Sequence, residues 1–286
     1  MSAQEEFSAA YDALLARWPD GTRELDVPTP YGSTRVHVYG PPDAPPLVLL
    51  HGGGATGTVW FGNARALGAR HRVLAVDVLR DAGRSVPAGR PLGGPADLTA
   101  WLDAVLDGLG VARAHLLGHS YGAWLAASYA LHAPGRVDRL VLLDPTQCFG
   151  GFRAGFLLRS LPLLARPTRA RALRFVARET AGTRTDPQWQ RLYALAAEAF
   201  AGRRPVTGRR VDPAGLRAPL LVLFAEHSAV HDAARIAVRA RAAVPHARVE
   251  VLPGLTHFAL PTALPEPTNR LIADFLGGAG GGPAPR

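Results

Sequence analysis

The segment Gly118-His119-Ser120-Tyr121-Gly122 constrains this chain more than any other, because of what lies on either side of it. Upstream, Val111–Leu117 (VARAHLL) reads as a short strand ending in small apolar residues. Downstream, Ala123–His132 (AWLAASYALH) reads as a helix, with Leu125, Ala126, Tyr129 and Ala130 at helical spacing. A serine on the sharp turn between strand and helix, with a glycine two residues before and two after, is presented as a nucleophile. The glycines leave the room that a β-carbon would fill. The helix that follows aims its first N–H groups at charge developing on a nearby oxygen.

Two further segments complete this chemistry. Leu47–Leu50 (LVLL) is an apolar strand running into His51-Gly52-Gly53-Gly54. A glycine run lets the backbone approach a carbonyl closely, so the N–H of Gly53 can join that of Tyr121 as an oxyanion hole. Later, Pro253-Gly254-Leu255-Thr256-His257 follows the strand Ala247–Leu252 and places a histidine on a loop near the end of the fold. The order serine, then histidine, is that of one hydrolase arrangement and not of the two unrelated protease orders.

On these segments the chain resembles the single-domain, esterase-like α/β-hydrolases common among bacterial enzymes. The resemblance runs from about Leu25 to Leu276. It includes Val36–Tyr39 before Pro41-Pro42 as an early antiparallel hairpin, Val73–Asp77 leading to Gly83-Arg84-Ser85, and Arg139–Pro145 as the strand after the serine's helix. It implies an α/β-hydrolase fold, an open, mostly parallel sheet flanked by helices, with Ser120 as nucleophile, His257 as base and no cofactor or metal. It says little about substrate, since one fold hosts many reactions.

One departure matters. In the family the acid usually follows the strand corresponding to Leu220–Ala225, in a segment such as G-E-H-D. Here that segment reads Ala225-Glu226-His227-Ser228, so a serine holds the acidic position. A hydroxyl cannot stabilise an imidazolium by charge. Asp144, at the end of the strand where some members of the fold, including certain dehalogenases, carry their acid, is the first choice, because a strand end holds a charged group rigidly. Glu226 and Asp232 flank the vacant position, and a Ser-His dyad without an acid is the remaining option.

Composition agrees with a soluble, cytoplasmic enzyme. Apolar residues make up 48% of the chain, ample for one buried sheet. The N-terminus carries acidic residues and no apolar run after a basic start, unlike a secretory signal. No stretch approaches the roughly 18 apolar residues of a membrane span. The one cysteine, Cys148, fits a reducing compartment and lacks the setting of a catalytic thiol. All 32 basic residues are arginine and the net charge is +9. With no nucleic-acid motif and no arginines alternating with stacking aromatics, the codon bias of a GC-rich genome explains that surplus better than a nucleic-acid or membrane partner.

The arginines are nonetheless uneven. Residues 149–212 carry thirteen arginines and four acids in an amphipathic helical pattern broken by Pro162 and Pro167. An insertion at this point is where the family carries a cap over the active site. Phe152, Phe156, Leu157, Leu161 and Phe175 are expected to look down toward Ser120, and the arginines to be solvated or to meet an acidic substrate or carrier. The expected domains are therefore a core of residues 1–148 and 213–276, a cap of 149–212, and a disordered tail, 277–286. Flanking helices are expected at Ala3–Trp18, Leu98–Leu109, Asp232–Val244 and Pro267–Leu276. Trp60, Phe61, Trp124 and Phe149 lie close in sequence to the catalytic turns and are candidates for an apolar pocket.

The expected activity is hydrolysis of an ester, thioester or related acyl bond of a small, largely apolar metabolite, free or carrier-bound. The alternatives are a cofactor-free lyase, eliminase or cyclase on the same scaffold, and a non-catalytic binding module. Neither the substrate nor the oligomeric state is legible.

Overall fold

Short apolar runs without polar alternation can be strands only where both faces are covered, and the chain uses several of them in the middle of one sheet. The structure, a computed structural model, describes residues 2–180, 183–262 and 266–278. The strands are β1 (Arg23–Thr29), β2 (Gly32–Tyr39), β3 (Pro46–Leu50), β4 (Arg72–Val76), the short β5 (Val86–Pro87), β6 (Ala114–His119), β7 (Val137–Leu143), β8 (Leu220–Ala225) and β9 (Arg248–Leu252). Their order across the sheet is β1-β2-β4-β3-β6-β7-β8-β9, with β5 on β2. The β1–β2 hairpin is antiparallel and joins β4 antiparallel. From β4 to β9 every pairing is parallel.

The helices are α1 (Ala3–Leu15), α2 (Ala64–Gly68), α3 (Pro95–Gly108), α4 (Tyr121–His132), α5 (Ala154–Ala165), α6 (Arg169–Glu179), α7 (Pro187–Ala199), α8 (Ala233–Ala243) and α9 (Glu266–Leu276). Residues alternate along β3: Val48 and Leu50 enter the apolar cluster under α3, α4 and α8, whereas Leu47 and Leu49 enter the cluster under α1, α2 and α9. None of the described helices is long and apolar enough to cross a membrane.

Element ends differ from the sequence reading in instructive ways. The strand before the serine starts at Ala114, after a left-handed Gly110 has ended α3, and runs to His119. The next helix begins at once, at Tyr121. Pro162 does not break its helix but lies inside α5. Pro162 supplies no N–H to the Leu158 carbonyl, so one bond of the helix ladder is missing there. Most of the tail expected to be disordered, residues 279–286, lies outside the described residues.

Helices α5–α7 join β7 to β8 without entering the sheet. They are tied to the N-terminal helix: Phe7 of α1 meets Phe200 edge-on at 4.8 Å, and Arg169 pairs with Glu6 at 3.0 Å. The inserted helices and α1 thus share one packing surface.

The core also holds His37, His71, His115, His119 and His231, all mostly or wholly buried. Burial lowers the proton affinity of each, to about 4 for His115 and about 3 for His119. The unfolded chain takes up these protons near the ordinary value of about 6.5, while the folded chain refuses them. Stability is therefore expected to fall as pH drops below about 6.5 toward those lowered values. The loss is at most about 2 kcal/mol per fully buried histidine between pH 7 and 5. Urea midpoints at the two pH values measure it; equal midpoints would contradict this account.

Candidate active site

The parallel strands end at one edge of the sheet, and each end delivers one piece of chemistry. Ser120 follows β6 directly, with φ +53° and ψ −113°, a backbone conformation that L-residues rarely adopt. The flanking glycines explain how the turn closes. A β-carbon on Gly118 would lie 2.3 Å from the carbonyl oxygen of Gly122, and one on Gly122 would lie 2.1 Å from that of Leu50 at the end of β3. The strained serine is held by its N–H to the Leu143 carbonyl (2.9 Å) and by the first bonds of α4 to its own carbonyl.

His257, on the loop after β9, reaches this turn. The Ser120 Oγ–H lies 2.9 Å from its Nε2, and its Nδ1 lies 2.6 Å from Oδ2 of Asp144, at the end of β7. Asp144 is fully buried and has φ +39°. Burial pushes its carboxyl upward. The hydrogen bond from His257, first, and the hydroxyl of Ser228 more than offset this and hold it below the ordinary value. Ser228 donates to the same oxygen at 2.6 Å, and the Ala225 N–H reaches the other oxygen at 3.3 Å. The serine at the vacant acid position thus donates to a carboxylate that comes from the neighbouring strand. The other two candidates are engaged elsewhere. Glu226 accepts from the Gly254 N–H (2.8 Å), and Asp232 caps α8 through the Arg235 N–H (3.0 Å).

Gly53 faces the elbow across a narrow gap, a β-carbon on it lying 3.8 Å from that of Tyr121. Neither residue's N–H has an acceptor among the described residues, so both are free for an oxygen bound above Ser120. The glycine loop is pinned from two sides. His51 accepts the Val78 N–H on Nε2 (3.0 Å), which leaves its Nδ1–H to hold the Gly52 carbonyl (2.9 Å). Asp81 accepts the Gly54 N–H with both oxygens, at 3.0 and 3.1 Å. No motif marks Asp81, which lies between Val73–Asp77 and Gly83-Arg84-Ser85. His119 was also missed. Burial first, then the neighbouring His257, keeps it neutral, and its Nε2–H holds the His257 carbonyl at 2.9 Å.

Above Ser120 is a cavity of about 490 Å³. Gly53, Ser120, Tyr121 and His257 form its floor, and Phe152, Phe156, Leu157, Phe175, Tyr193 and Phe200 from the insertion form much of its wall and roof. Tyr121 Oη–H and Trp124 Nε1–H bond the carbonyls of Val206 (2.7 Å) and Arg209 (3.1 Å), tying the returning strap of the insertion to the elbow helix. Of the four aromatic residues expected in the pocket, only Trp124 lines it. Trp60 is fully buried in the core beneath α1, Phe61 lies under the Arg17 guanidinium (4.0 Å), and Phe149 packs on Phe224. Leu161 faces outward and is 54% exposed. Cys148 is buried, which pushes its thiol up and makes it a poor nucleophile. No cluster of metal-ligating side chains occurs among the described residues.

The alpha/beta hydrolase fold family model matches residues 45–264. Carboxylesterase YbfK of Bacillus subtilis (strain 168) is 30% identical over 95% of this chain and 94% of its own. The crystal structure of that carboxylesterase superposes with a TM-score of 0.90 at 28% identity, covering 97% of this chain and 99% of its own. The naproxen esterase of the same organism superposes with a TM-score of 0.84 at 25% identity, over 96% and 99%.

Whatever bond is broken, Asp144→Asn is expected to slow Ser120-dependent turnover by about 10⁴-fold, as when such an aspartate is amidated elsewhere. Glu226→Gln should change it less than about threefold, since surface substitutions away from the chemistry cost little. Steady-state rates of the two variants decide the matter; the reverse ranking would remove Asp144 from the site.

Proposed function

Because this chain belongs to the α/β-hydrolase fold family, we propose that it is a carboxylesterase acting on a small, largely apolar ester through a serine nucleophile. The observation that carries the proposal is the continuous chain from Ser120 Oγ through His257 to Asp144, with contacts of 2.9 and 2.6 Å, at the floor of an apolar cavity. The cavity's 490 Å³ falls in the range of small-ligand sites.

In this mechanism Ser120 Oγ attacks the ester carbonyl carbon while His257 Nε2 takes its proton. The carbonyl oxygen becomes an oxyanion between the N–H groups of Gly53 and Tyr121. His257 returns the proton to the departing alkoxide, leaving an acyl group on Ser120. A water, deprotonated by the same nitrogen, then attacks that acyl group, and the acid leaves with Ser120 restored. Asp144 keeps the Nδ1 proton in place and stabilises the imidazolium by charge, more strongly for being out of water.

Residues 149–212 act as the cap, roofing the cavity and excluding water from the charged intermediates. A thioester or a carrier-bound acyl group would fit the same steps. An altered acid loop would suit a lyase, and the Asp144 carboxylate beside His257 supports the hydrolase over that reading. With one buried cysteine, we place the enzyme in a reducing cytoplasm.

Release of p-nitrophenol from p-nitrophenyl butyrate tests the proposal. Ser120→Ala and His257→Ala are each expected to abolish release by similar factors, and the double variant to be no worse, because the two residues act as a unit. Substantial activity in Ser120→Ala alone would refute covalent catalysis.

A further inference from the structure

Helix α5 faces the wrong way for a water-exposed helix. Leu157, Leu158, Leu161 and Leu164 are 46%, 66%, 54% and 57% exposed, and Leu173 on α6 is 40% exposed. Among the described residues these are five of the seven large apolar side chains exposed to this degree. The one charged residue of α5, Arg159, turns inward and binds the buried Glu179 with two bonds, at 2.5 and 3.1 Å. A helix covering a core does the reverse. Single exposed leucines are ordinary, but a contiguous stripe of them on a folded protein marks a surface that something covers.

The charge around the stripe indicates what covers it. No acidic residue occurs between Asp144 and Glu179. Arg153 and Arg166 flank the two ends of α5, and Arg174 and Arg178 follow Leu173 on α6; all four are exposed. None of the four has an ion-pair partner among the described residues, whereas Arg159 and Arg169 nearby do. A second copy of the chain meeting this face symmetrically would bring arginine against arginine. An anionic lipid surface supplies both the apolar layer and the negative rim. Leu157 and Leu164 also line the cavity above Ser120, so the stripe is continuous with the mouth of the site.

We propose that α5 and the adjoining part of α6 form a docking face for an anionic lipid surface. Leu158 and Leu161 enter the acyl layer, and Arg153, Arg166, Arg174 and Arg178 meet the headgroup phosphates. On this proposal the codon-bias reading of the arginine surplus does not extend to this segment. The cavity mouth would then open at the boundary layer, where apolar esters partition. That last step rests on the esterase proposal; the docking itself does not.

The test is co-sedimentation of the full-length protein with phosphatidylglycerol vesicles and with phosphatidylcholine vesicles. Binding to the anionic vesicles is expected, with at least about tenfold weaker binding to the zwitterionic ones and a loss on raising salt. Leu158→Gln with Leu161→Gln, and separately Arg166→Gln with Arg174→Gln and Arg178→Gln, should each weaken anionic binding about tenfold or more. Both sets should leave hydrolysis of soluble p-nitrophenyl butyrate unchanged, since none of these residues touches the catalytic groups. Ser120→Ala should bind vesicles like the parent, so a failure of the esterase proposal and a failure of docking are read separately. No binding to either vesicle, or equal binding to both, would overturn the proposal. So would a dimer in sedimentation velocity that Leu158→Gln with Leu161→Gln dissolves, since a second copy would then cover the face.

Discussion

A carboxylate with no access to water has to be compensated where it sits, and the catalytic arrangement depends on how that is done for Asp144. Its oxygens are met by the Ser228 hydroxyl, the Ala225 N–H and the His257 imidazole. Among the described residues no guanidinium or ammonium pairs with it, and the cation in direct reach there is the one that His257 becomes on taking a proton. The burial that makes Asp144 costly is what makes it effective, because its field on the imidazolium is not screened by water. His119 adds a second restraint by holding the His257 carbonyl, which leaves the ring little freedom to turn away from Ser120.

The sheet supplies this geometry at low conformational cost. Parallel strands ending at one edge bring the glycine loop, the elbow serine and the acid into neighbouring positions, and a close approach at Gly122 to the Leu50 carbonyl sets their spacing. The insertion then converts an open edge into a closed site. Its return strap is bonded to Tyr121 and Trp124, on the helix that starts directly after Ser120. Its other side rests on α1 through Phe7 and Phe200. A change in the packing of α1 would therefore be felt at the roof of the cavity, far from it in sequence.

Much of this was legible in the residues. The pentapeptide around Ser120, the glycine run after LVLL and the late Thr256-His257 carry local signals, because each needs a particular backbone geometry that few sequences allow. Asp144 was legible only as one of several candidates. Its pairing with His257 is a contact between residues 113 apart, and the serine that supports it was visible only as a departure from pattern. Asp81 and His119 carried no signal at all, because their roles are to hold backbone groups of loops whose course no periodicity reveals. Trp60, Phe61 and Phe149 stay out of the cavity for a related reason. Nearness in sequence to a catalytic turn says nothing about which face of the turn a ring occupies, and Trp60 and Phe149 turn into the core. Leu161 turns outward, against expectation, because an amphipathic pattern fixes that a face is apolar, not what it faces.

The central claim is that Ser120 is activated through His257 by the buried Asp144. Its most direct measurement is the rate and site of labelling by a fluorophosphonate, followed by peptide mass mapping. The account predicts one adduct, on Ser120, that forms rapidly in the parent, is absent in His257→Ala, and is slowed in Asp144→Asn by about the same factor as turnover. An adduct on another residue, or a Ser120 label whose rate is indifferent to Asp144→Asn, would contradict it.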